Sequence, residues 1–202
     1  MNFIELVEQR KIEARKQNIL EVRRDIDKSW VKDKINNHIQ RFDGMFSVED
    51  VRKQILENDL VASMFAKDPS KQNITEKLVS EILKIDKLPA SGKSCVRFSE
   101  SGELVSKSGA SHSKSADFII KGHYATQKFT TETGGAQDNQ FYDVVDFLKK
   151  GSIHHKVAAL VDGLYWENGQ KDKLIKEFEG NPNVLITSVQ ELLDEKEWRN
   201  ND

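Results

Sequence analysis

The chain has a single cysteine, Cys95, and no long apolar run. One cysteine excludes an internal disulfide and a zinc site built from several cysteines, and it fits a reducing cytosol. The sequon Asn73-Ile74-Thr75 is then a coincidence of composition. No apolar stretch approaches the roughly 18 residues of a membrane-spanning helix. The opening MNFIELVEQRKIEARK mixes acids among its apolar residues, unlike the apolar centre of a signal peptide. The expectation is a cytoplasmic protein with no membrane partner. An excess of one charge is also missing: 31 Lys and Arg stand against 33 Asp and Glu, a net charge of −2, which argues against a simple polybasic coat for DNA. The distribution is less even. Lys84 to Lys128 holds eight basic residues against four acids, whereas Asp162 to the end holds five against ten. A basic middle and an acidic tail form a dipolar chain whose middle faces an anion, unless the unevenness is ordinary surface scatter.

What is present is, first, helix. Phe3, Ile4 and Val7, then Ile19, Val22 and Ile26, recur at helical spacing among charges. Phe42-Asp43-Gly44 interrupts that pattern. SVEDVRKQILEN restarts it with Ser47 as N-cap, and DPSKQNITEKLVSEILK begins a further helix capped by Asp68 or Ser70, with Pro69 in its first turn. From Leu88 the chain turns to Ser- and Gly-rich loops around a short CVRF run and a turn at Ser101-Gly102. Three β runs follow: ADFIIK (116–121), HYATQKF (123–129) and VAALVD (157–162), the first two joined by a tight Lys121-Gly122 turn. NQFYDVVDFLKKG and KDKLIKEFEG read as helices ending in glycine, NVLIT as a short strand, and SVQELLDEKEW as a capped helix. The expected fold is α/β in the α+β sense. A helical region over residues 1–66 serves as scaffold, dimerisation surface or DNA contact. A core over residues 67–202 is a small mixed sheet flanked by helices.

Asp117 and Lys128 fall on the adjacent strands of the expected hairpin. A carboxylate there can hold Mg²⁺ against a phosphate oxygen, and an ammonium beside it can bind the same phosphate or position the attacking water. Glu76 and Glu81 offer further carboxylates from the preceding helix. An unrelated capping or salt-bridge role is the competing reading for Asp117, and a solvated helix face the one for Glu81. His154-His155 follow a helix stop and read as structural or surface residues. GGAQDNQ is either a polar turn with an N-cap or a source of amides, Gln137, Asn139 and Gln140, able to meet adenine edges or order water at a metal. Lys114 and Lys121 are candidate phosphate contacts or plain surface.

Taken in order, these pieces resemble the PD-(D/E)xK nuclease superfamily, and within it type II restriction endonucleases with FokI-like cleavage cores, over roughly residues 65–195. The resemblance assigns the helix glutamate to Glu76 in DPSKQNITE, the first motif acid to Asp117 in KSADFII (with Ala116 where proline is usual), and the catalytic lysine to Lys128 in ATQKF. GGAQDNQF and the closing AALVDGLYWENG and NVLITSVQELL match further parts. It implies Mg²⁺-dependent, sequence-specific hydrolysis of double-stranded DNA by a homodimer. The departure is Thr126, where the second acid of the motif is expected two residues before the lysine. Three explanations stay open. Glu76 or Glu132 supplies the missing charge; Asp117 and the main-chain carbonyl of Gln127 hold the metal with waters; or the chain is inactive and serves as a DNA-binding module or partner subunit. A structural protein whose basic middle binds something other than DNA is a further alternative.

Overall fold

The computed structural model describes residues 2–109, 111–131 and 135–195. Two compact units divide the chain, one of Glu5–Ile74 and the other of Met1–Ile4 with Thr75–Asp202. Glu76 thus belongs to the second of these units, close after its start at Thr75. Among the described residues there are eight α-helices and two small sheets, a mixed α+β composition. None of those helices is long and apolar enough to cross a membrane.

The Glu5–Ile74 unit is helical. Val22 of α1 (Phe3–Arg24), Val31 and Ile35 of α2 (Ser29–Arg41), Val51 and Ile55 of α3 (Val48–Glu57), and Ala62 and Phe65 of α4 (Asp59–Phe65) share one buried cluster. Their three- and four-residue spacing puts them on one face of each helix. The interruption at Phe42-Asp43-Gly44 is a turn in which Asp43 and Gly44 take φ 48° and 72°. Ser47 caps α3, its Oγ accepting from the Asp50 N–H at 3.1 Å. The start of α4 was not anticipated in the sequence pattern. Asn58 closes α3, and its side chain accepts from Leu60 and Val61 N–H at 2.9 and 3.2 Å, so one residue ends a helix and starts the next. The helix expected from Asp68 is also divided. Asp68 caps a single 3₁₀ turn, Pro69–Lys71; Asn73 then takes φ 53°, and α5 (Ile74–Leu83) begins after it. Asparagine enters that left-handed region more readily than most residues. Glu76 consequently stands in the first turn of a short helix.

In the second unit, β1 (Arg97–Phe98) and β2 (Leu104–Val105) form a small hairpin. The main sheet has the order β3 (Phe118–Ile120), β4 (His123–Phe129), β5 (Val157–Asp162), β6 (Val184–Thr187). β3 and β4 are antiparallel through the Lys121-Gly122 turn, whose φ values of 47° and 76° suit a two-residue hairpin loop. α6 (Gly135–Gly151) and α7 (Lys171–Glu177) carry the parallel crossovers to β5 and β6. Strand alternation sorts the side chains. Thr126 pairs with Ala159 and Lys128 with Val161; these β5 residues pack in the core with Phe141, Val144, Phe147 and Leu148 of α6. Gln127, between them, belongs to the other face. Gly163 ends β5 with φ 100°, and a Cβ there would lie 2.4 Å from the Thr130 carbonyl oxygen, so glycine allows β4 and β5 to close this tightly beyond Lys128.

Asp162 ties the centre of the sheet to α8 (Val189–Asp194). Its two carboxylate oxygens accept the Val189 N–H at 3.1 and 3.2 Å. Burial pushes its carboxyl up to about 7, against the opposing pull of the Val189 and Gln190 N–H groups. The folded chain therefore holds a proton that the unfolded chain releases at the ordinary carboxylate pKa of about 4. Stability contributed by this group falls as pH rises from about 4 to about 7 and is level above that. Asp162→Asn keeps a carbonyl acceptor for α8 and removes the titration. Urea midpoints of the wild type relative to this variant should drop between about pH 4 and about pH 7 and stay level above that; an unchanging difference would mean that Asp162 is ionised throughout.

Candidate active site

Asp117 sits just before β3, where the ladder with β4 runs out. Its backbone is fixed on both sides: its N–H donates to the Ala125 carbonyl at 2.7 Å, and its carbonyl accepts from Leu88 N–H at 2.7 Å. Its carboxylate reaches across to β4. Oδ2 accepts the Gln127 N–H at 2.8 Å and the Thr126 hydroxyl at 3.3 Å. Thr126 is 1% exposed, which explains its chemistry: at this buried position it donates a hydrogen bond that orients Asp117, where a second carboxylate would add like charge. The carbonyl of Gln127 lies on the same strand edge as its N–H, facing the space that β3, beginning at Phe118, does not fill. The Gln127 side chain is buried, and its Nε2 has no hydrogen-bond partner.

Burial pushes the Asp117 carboxyl above the usual range, and the Glu76 charge adds to this; the Gln127 N–H, Lys128 and Thr126 act in the opposite direction. Of the groups expected to act together, Glu76 and Lys128 thus both lie close enough to Asp117 to act on it. Lys128 is half-buried on the same face as Thr126. Glu76 Oε2 is ion-paired with Lys87. Lys87 is a site residue the sequence pattern did not reveal. It forms an isolated antiparallel bridge with Phe118, on the side of β3 away from β4. A single bridge leaves no alternating run to find, so Asp86-Lys87-Leu88 carried no strand signal.

The remaining candidates are spread more widely. Gln140 is held by the Thr130 hydroxyl, which donates to its Oε1 at 2.8 Å; Gln137 is half-buried and Asn139 exposed, all three on α6 beyond the end of β4. Asp138 beside them accepts from the Tyr165 hydroxyl at 3.1 Å, and burial with this acid pushes Tyr165 up to about 12. Lys114 is exposed, 3.9 Å from Asp143. Lys121 lies at the turn end of the hairpin, 2.8 Å from Glu195, and is not brought together with Asp117 and Lys128. Glu81 is exposed, and His155 stacks on Phe98 with centroids 5.6 Å apart. Glu132 lies outside the described residues.

Among the described residues no three His, Cys, Asp or Glu side chains gather as a metal site. The donors at hand are Asp117, the Gln127 carbonyl and Glu76 once released from Lys87. One or two carboxylates with a carbonyl and waters suit Mg²⁺, which keeps much of its hydration. A divalent cation would also relieve the buried charge of Asp117. Comparison with protein-family models, curated proteins and solved structures gave no match.

The electrostatic grouping has a direct readout. In carboxyl-detected NMR, Asp117 should titrate above the ordinary aspartate range. It should move down toward that range in Glu76→Gln and further up in Lys128→Ala. A titration indifferent to both substitutions would show that the three groups are not coupled.

Proposed function

We propose that the chain is a Mg²⁺-dependent, sequence-specific DNA endonuclease of the type II restriction kind, built on a PD-(D/E)xK core. The observation that carries this reading is the joint placement of Asp117 and Lys128 at one end of an antiparallel hairpin, with Glu76 near enough to perturb Asp117. The element order supports it. Helix α5 is followed by the isolated Lys87 bridge to β3, the antiparallel β3–β4 pair, α6 and parallel β5, an order similar to the helix, antiparallel hairpin, helix and strand of that core. The long segment from Leu88 to Ser115, with its own small hairpin, is an insertion in that plan.

In this reading Asp117, the Gln127 carbonyl and Glu76 would hold the ion. When bound, it supplies Lewis acidity at the scissile phosphate and a more acidic water. Lys128 holds a non-bridging phosphate oxygen and orients the water whose oxygen attacks phosphorus; that water gives a proton to solvent as the P–O bond to the leaving oxygen breaks, and the leaving oxygen takes a proton from solvent. Thr126 fixes the Asp117 rotamer. Gln137, Asn139 and Gln140 face base edges, and Lys114 and Lys121 meet phosphates away from the cut. Cutting both strands of a duplex favours a homodimer. A cytoplasmic location follows from the same role. The second reading, an inactive DNA-binding module or partner subunit, is favoured by one observation: Thr126 occupies the second acid position and donates its hydroxyl hydrogen bond to Asp117.

Plasmid digestion distinguishes these. Asp117→Asn should abolish cleavage while DNA binding is kept or tightened, because a charge that repels phosphate is removed; a variant cutting at the wild-type rate would remove Asp117 from the metal site. Lys128→Ala, folded by circular dichroism, should lose at least about 10²-fold in rate, and full activity would exclude its role. Glu76→Gln should impair cleavage nearly as much as Asp117→Asn, and Thr126→Glu should restore part of that loss. Under the inactive reading the wild type never cuts, and Thr126→Glu alone switches cutting on.

A further inference from the structure

The basic middle of the chain contains a second feature, apart from Asp117 and Lys128. A cavity of about 490 Å³ lies between the loop before β1 and the loop after β2. Lys93, Arg97 and Lys107 line it together with the hydroxyl-bearing Ser91, Ser106 and Ser108. No carboxylate is among its lining residues. The hairpin explains the convergence. Arg97 pairs with Val105 across β1 and β2, so the residues that follow Val105 form the wall opposite the 91–93 loop. Gly92 turns that loop with φ 89°. The Arg97 guanidinium is anchored by one Nη2 bond to the Ala90 carbonyl at 2.9 Å, while its buried Nε has no hydrogen-bond partner. Glu100, the acid nearest Arg97 in sequence, is instead paired with Lys150 at 2.9 Å.

Three cations and three hydroxyls without an acid constitute an anion site, and a forked guanidinium with serine hydroxyls suits phosphate oxygens. The adjoining residue, Val96, accepts the Ala116 N–H at 2.8 Å, which couples this hairpin to the segment carrying Asp117. We propose that the Lys93–Arg97–Lys107 pocket binds a backbone phosphate of the nucleic-acid strand, outside the bond that is cut. This rests on the nuclease reading for the identity of the ligand, but not for the existence of the phosphate site. The insertion between Leu88 and Ser115 thereby gains a role in holding the duplex.

The test uses the full chain and a Lys93→Gln/Lys107→Gln variant, whose exposed lysines leave the fold intact by circular dichroism. Duplex binding is followed by fluorescence anisotropy with Ca²⁺ in place of Mg²⁺, over a range of salt. The variant should bind about tenfold more weakly, and the slope of log affinity against log salt should shrink by about 1, as for one lost phosphate contact. In the wild type, duplex should shift the amide resonances of Gly92, Ser106 and Ser108. Unchanged affinity and slope, with those resonances still, would overturn the proposal. So would a pocket that binds inorganic phosphate while duplex affinity ignores the substitutions, because the ligand would then be free phosphate. A wild type that binds duplex through these lysines but never cuts it would support the pocket while removing the nuclease reading.

Discussion

The hydrogen bond from the Gln127 N–H to the Asp117 carboxylate is the constraint on which the candidate site depends. It replaces a ladder bond at the point where β3 has ended, so a side chain closes the sheet in place of backbone. Two consequences follow from one contact. The carboxylate is locked against β4 beside Lys128, and the carbonyl of Gln127 is left facing the same open edge. A regular β3 one or two residues longer would pair that edge and leave no room for a ligand. Preorganisation of this kind aligns groups before substrate arrives and is worth more than their mere proximity.

Asp162, buried, and Asp117, half-buried, lie on the same sheet and differ in what surrounds them. Asp162 lies at the end of the central strand, opposite Phe129 in register, and its partners are backbone N–H groups of α8. It is satisfied within the fold. Asp117 is also shifted by burial, but Glu76 adds like charge, Lys128 opposes it, and Lys87 pairs with Glu76. Perturbed carboxylates with specific charged neighbours are a recurring mark of functional sites, although structural networks such as that of Asp162 produce shifts as well.

The strands of the core were legible because they carry strong, uninterrupted patterns. HYATQKF and VAALVD fall on β4 and β5 without change, and the Lys121-Gly122 turn and the Ser47 and Ser188 caps follow from local chemistry. The failures are equally specific. Asn58 acts at once as helix stop and helix start, and Asn73 takes a left-handed backbone inside an apparently continuous helical pattern; neither conformation is written in periodicity. Lys87 joins the site through one bridge, too short to show as alternation. The pairing of Asp117 with Thr126 was visible only as an oddity of motif, since a side chain completing a sheet depends on where the neighbouring strand stops. The basic pocket around Arg97 needed two loops to meet through the β1–β2 hairpin, which sequence distance hides.

Crystals grown with Mn²⁺ in place of Mg²⁺ test this assignment most directly, through anomalous scattering. The site described predicts one strong peak bounded by Asp117 and the Gln127 carbonyl, with metal–oxygen distances a little over about 2 Å, and Glu76 turned from Lys87 toward it. A fully occupied Mn²⁺ elsewhere on the chain, with Asp117 still bonded only to Gln127 and Thr126, would contradict it.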